Sequence, residues 1–179
     1  MLQAPHGPRI RGFAAAGPLT MLYAVLQALH VLAIVVWVGG MVFAHFFLRP
    51  AAAQLLPPAQ RLPLMSAVLG RFFAAVVGAA AVVLGTGLWM IGRVAKQTVQ
   101  AGGSFSMPPS WTVMAGLGVL MVLIFGHIRV VLYRRLRAAV EAQDLPRGAE
   151  ALDAIRRWVL VNLVLGIVVI LSAVLRLPA

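Results

Sequence analysis

The sequence contains no cysteine. Disulfides, thiolate metal sites and cysteine nucleophiles are therefore excluded, and any metal or cofactor must be held by histidine, methionine, asparagine or a carboxylate. Acidic residues are nearly as scarce. There are four, Glu141, Asp144, Glu150 and Asp153, all inside residues 134–157. None falls in a long apolar run, which argues against a carboxylate proton relay and against a site for hard divalent ions such as Mg²⁺ or Ca²⁺. Charge of either sign is thin, at 11% of residues, where a soluble domain carries about 25%. A Walker loop, a dinucleotide-binding glycine pattern and HExxH are all missing, so the chain alone does not read as a nucleotide-driven pump.

What is present is apolar. Of 179 residues, 62% are hydrophobic and the mean hydropathy is +0.97. So little polar surface cannot cover a water-soluble globule, and the outside of the molecule must face lipid. A membrane span needs about 20 mostly apolar residues. Four segments qualify, at residues 21–48, 64–91, 111–133 and 158–175. They are continuous rather than alternating and far longer than the roughly 10 residues of a barrel strand. The fold class is therefore all-α, a polytopic membrane protein with an antiparallel four-transmembrane-helix bundle over residues 21–179. Arg49-Pro50 reads as the end of the first helix, and residues 97–110, with Gly102-Gly103 and Pro108-Pro109, read as a loop. The third helix is expected to run on toward Glu141, with Leu145-Pro146-Arg147-Gly148 as the break.

Residues 1–20 are rich in proline and glycine and carry His6, Arg9 and Arg11. They read as a disordered basic tail, because the apolar stretch from Phe13 to Ala16 is too short for a secretory signal. The alternative is a natural start at Met21 preceded by an upstream start codon.

The net charge of +11 raises the question of nucleic acid. The basic residues sit mostly at the ends of apolar runs, however, so the expected partner is an anionic lipid surface and no nucleic acid. Ten of them, Arg49, Arg61, Arg71, Arg129, Arg134, Arg135, Arg137, Arg147, Arg156 and Arg157, fall on one side of the four spans. Five, Arg9, Arg11, Arg93, Lys96 and Arg176, fall on the other. The positive-inside rule then places both termini in the periplasm of a bacterial inner membrane.

Chemistry-bearing residues gather on the first helix. At about 100° per residue, His30, Ile34, Trp37, Met41 and His45 fall within roughly an 80° arc. Polar groups at membrane depth are costly, so this stripe should face the bundle interior. His30 would lie in the outer half, facing Thr86 and Met90 on the second helix and Thr112 or Met114 on the third. In the cytoplasmic half each helix offers one polar residue, His45, Arg71, His127 and Asn162. By depth, His45 and His127 differ by about 8 Å and His30 and His127 by about 14 Å. Trp89, Trp111 and Trp158 sit at span ends, as interfacial anchors do.

Two cofactor chemistries stay open. Methionine and imidazole suit Cu(I), which would give copper the ligands His30, Met41, His45 and His127, with Met90 and Met114 in reserve. A haem b could instead take axial ligands from His45 or His30 and His127, with Trp37 and Asn162 nearby and Arg49, Arg71 or Arg134 at the propionates. The third reading is a structural or assembly protein with no cofactor.

The run Ala28-Leu29-His30-Val31-Leu32-Ala33, then Trp37-Val38-Gly39-Gly40 and Leu48-Arg49-Pro50, resembles the first helix of the copper-resistance protein D membrane domain. Gly85-Thr86-Gly87, Gly126-His127-Ile128-Arg129 with Tyr133-Arg134-Arg135-Leu136, and residues 157–166 extend the resemblance. It implies copper transport or homeostasis in the inner membrane, in company with further copies of the chain or a periplasmic copper or redox partner. The first-helix pattern is also similar to the HemJ-type protoporphyrinogen oxidases, haem-associated enzymes in which His30 would match the helix-one histidine.

Overall fold

The computed structural model describes residues 18–175. Among these residues there is no strand, and four long apolar helices form a bundle able to span a membrane. Helix α1 is Leu19–Leu55, α2 is Pro58–Gln100, α3 is Pro109–Glu141 and α4 is Leu145–Val174. In lipid a backbone must satisfy its own hydrogen bonds, and an unbroken apolar run does so as a helix. The expected tail, residues 1–20, lies outside the described residues except for its last three, which already belong to the first helix.

The helices are longer than the spans expected from the sequence. The 43 residues of α2 extend about 65 Å, twice the roughly 30 Å of a bilayer's hydrocarbon core. Two boundaries need correction. Arg49-Pro50 does not end α1, because the chain passes through a π-helical segment at Phe43–Leu48 and continues to Leu55. The wider register, with the Arg49 N–H donating to the Ala44 carbonyl, steps over the donor that Pro50 lacks. The break before α4 also falls earlier than expected. Gln143 turns the chain with φ of 55°, and Asp144 caps α4 by accepting from the Arg147 N–H at 3.1 Å. Leu145-Pro146 thus opens α4, where proline costs nothing.

Helix α1 packs chiefly on α2, and α3 on α4. The two pairs are joined through an aromatic chain across the core. Trp37 meets Phe125 at 5.9 Å, Phe125 meets Phe73 at 5.8 Å, and Phe73 meets Tyr133 at 5.4 Å, all edge-on. The Tyr133 hydroxyl then donates to the Ser66 carbonyl at 3.1 Å. It passes over Gly70, where any Cβ would collide with that hydroxyl. The outward surface is Leu, Val and Phe, as a lipid-facing surface should be. At one end Tyr23, Trp89 and Arg93 stack in series, and toward the basic end His127 lies edge-on to Trp158. These aromatic groups mark two interface levels.

Candidate functional site

His30 is half-buried between α1 and α2. Its Nδ1 lies 2.8 Å from the Thr86 hydroxyl, as the sequence led us to expect. Thr86 in turn donates its single proton to the Val82 carbonyl at 2.6 Å. With that proton committed, the Thr86 oxygen can only accept, so the network assigns the histidine proton to Nδ1. The Nε2 lone pair is then left for a ligand. Gly87 keeps the space beside the ring open, since a Cβ there would stand 3.3 Å from His30 Cε1. Met90, one turn beyond Thr86 on α2, and Met114 on α3 are both half-buried in the same half of the bundle.

Trp37 and Met41 continue the stripe into the core, at 4% and 2% exposure. Below them, His45 lies in the π-helical segment and lines a small cavity of about 30 Å³ with Arg49, Met65, Leu69, Ile155 and Val159. The cavity can hold one water-sized particle. Met65, on α2, was not among the residues singled out from sequence. The cue that points to it is positional, because it opens the second span where α2 returns beside the end of α1.

The expected cytoplasmic cluster does not assemble. Asn162 is buried at 1% exposure, with its Oδ1 lacking any hydrogen-bond partner. Arg71 and His127 are exposed on the outside of the bundle. His127 packs on Trp158 at 5.5 Å, while His45 borders Val159. The two histidines therefore both approach α4, yet on different sides of that helix. His30, bonded to α2, shares a partner with neither. No group of three or more His, Cys, Asp or Glu side chains able to hold a metal occurs among the described residues.

The family model of copper resistance protein D matches residues 66–176, well over half of the chain. The chain belongs to the copper resistance protein D family. The match covers most of α2 and all of α3 and α4, including Thr86, His127 and Asn162; α1, with His30, Met41 and His45, lies ahead of it. No curated protein and no solved structure matches the chain. The molecule is thus a multi-pass membrane protein of a copper-resistance family.

Proposed function

We propose that this protein moves copper across a bacterial inner membrane, with α1 as the track. The observation that carries the reading is the His30–Thr86–Val82 hydrogen-bond series, which leaves the His30 Nε2 lone pair free in the outer half of the bundle. A metal-binding imidazole usually has its other nitrogen held this way. Cu(I) is soft and accepts imidazole and thioether ligands at low coordination number. His30, with Met90 and Met114 in the same half, would form the outer station, Met41 the buried waypoint, and His45 with Met65 the inner station. Weak sites spaced along a path let an ion enter and also leave. Arg49 borders the inner station, but Asp153 at 3.3 Å answers part of its charge.

The test is a Cu(I) titration of the detergent-purified chain against a chromophoric chelator, with vesicle uptake measured in parallel. His30→Ala should remove one binding event. His45→Ala combined with Met65→Leu should remove a second, and each change should abolish uptake. Unchanged stoichiometry in both would overturn the assignment. A Soret band in the same preparation would replace copper with haem.

A further inference from the structure

On the basic side, at the level where α1 leaves the hydrocarbon, a second cavity of about 160 Å³ opens between α1, α2 and α4. Its polar wall is Arg49, Arg61 and Asp153, and its apolar floor includes Leu62, Met65 and Leu152. Charge here is out of balance. Asp153 takes Arg49 at 3.3 Å and Arg156 at 4.0 Å on the same oxygen, and Arg61 pairs with no carboxylate among the described residues. Arg49 also feels the like charges of Arg156 and Arg61. Arg49 and Arg156 thus share one carboxylate, Arg61 has none, and the cavity walled by Arg49 and Arg61 has room for an anion. Guanidinium forks match phosphate oxygens in geometry and in charge.

Position identifies the kind of anion. Phe46 lies in the π-helical segment that leads into Arg49 and is 56% exposed, so an apolar surface adjoins the charged mouth. A ligand with a phosphate below and a hydrocarbon chain above fits both. We infer that the cavity bounded by Arg49, Arg61 and Asp153 binds the phosphate headgroup of an anionic phospholipid, with the acyl chain laid over Phe46. Arg61 supplies the charge that no side chain neutralises, and Arg49, held by Asp153, is already oriented. A zwitterionic headgroup would bring its own cation against Arg49 and Arg61 and is disfavoured. This site does not depend on the copper reading.

Native mass spectrometry of the full chain released from detergent tests it, with dioleoyl phosphatidylglycerol, dioleoyl phosphatidylcholine or inorganic phosphate titrated in. One phosphatidylglycerol should be retained per chain where phosphatidylcholine is lost. Arg61→Gln should weaken phosphatidylglycerol roughly ten-fold, while Arg137→Gln, whose partner is Glu141, should leave it unchanged. If Arg61→Gln is not recovered folded, Arg49→Gln, in the same cavity wall, should give the same loss. Equal retention of both lipids would overturn the inference. So would competition by inorganic phosphate as strong as by the lipid, which would mark a free-anion site, or wild-type affinity in the arginine variant.

Discussion

His30 can offer Nε2 only because Thr86 holds Nδ1, and Thr86 holds it only because its own proton goes to Val82. Thr86→Val keeps the side-chain shape and removes that acceptor. The ring loses its fixed orientation and tautomer, and we expect copper affinity at the outer station to fall by about 10–100-fold. Stability should fall by about 1 kcal/mol. A chelator-competition titration with a parallel unfolding curve separates the two effects. Unaltered affinity would mean that Thr86 is only a packing neighbour. Much of this residue pair was legible in the sequence, since the α1 stripe and the Thr86 position already faced each other. The wheel also put Trp37 and Met41 inside, where both are nearly fully buried. Arg71 and His127 were harder to place. Depth alone put them beside Asn162, but they lie about 160° and 110° from the buried stripes of their helices. Those stripes cannot be read from hydrophobicity, because in lipid the outward side chains are as apolar as the inward ones.

Two features of whole helices decide how the bundle closes. The first is the π-helical segment before Pro50, which carries α1 past a residue that reads as its end. The sequence marks the proline but not the register shift that accommodates it. A second π-helical segment, Ile128–Leu132, follows His127 in α3. The second feature is the seating of α3 on α2, where Tyr133 crosses Gly70 to reach Ser66. Gly70→Ala should force the ring aside, break that hydrogen bond and lower stability by about 1–3 kcal/mol. Gly78→Ala, on the same helix with nothing within 4 Å of its added Cβ, should show no loss. Denaturant titration in detergent checks the pair. Equal midpoints would mean that the Tyr133 contact contributes nothing to closure.

Across the whole molecule, four spans and their antiparallel order follow directly from the lengths of the apolar runs, because the bilayer leaves few alternatives. The lengths of the protruding ends did not, since helix outside the membrane is held by packing such as Leu62 under Gly148 rather than by hydropathy. The ten basic residues counted on one side predict that this end faces the cytoplasm. The lack of cysteine makes the chain ready for single-cysteine reporters. In spheroplasts, Ser104→Cys in the α2–α3 loop should react with a membrane-impermeant maleimide. Ala142→Cys in the α3–α4 turn should react only after lysis. The reverse pattern would invert the orientation and exchange the proposed outer and inner stations.

Both proposed stations draw on the same two helices, α1 and α2. His30 and Met65 lie on opposite members of the α1–α2 pair, as do Thr86 and His45. The histidines are about 22 Å apart along α1, too far for one ion to touch both. Any axial slip or roll of α1 against α2 changes the grip at the two ends together. On the proposed copper reading, copper at one end would alter the affinity at the other, and by linkage the effect would be equal in both directions. The pair would then act as a lever with a ligand at each end, loading at one end readying the other to release.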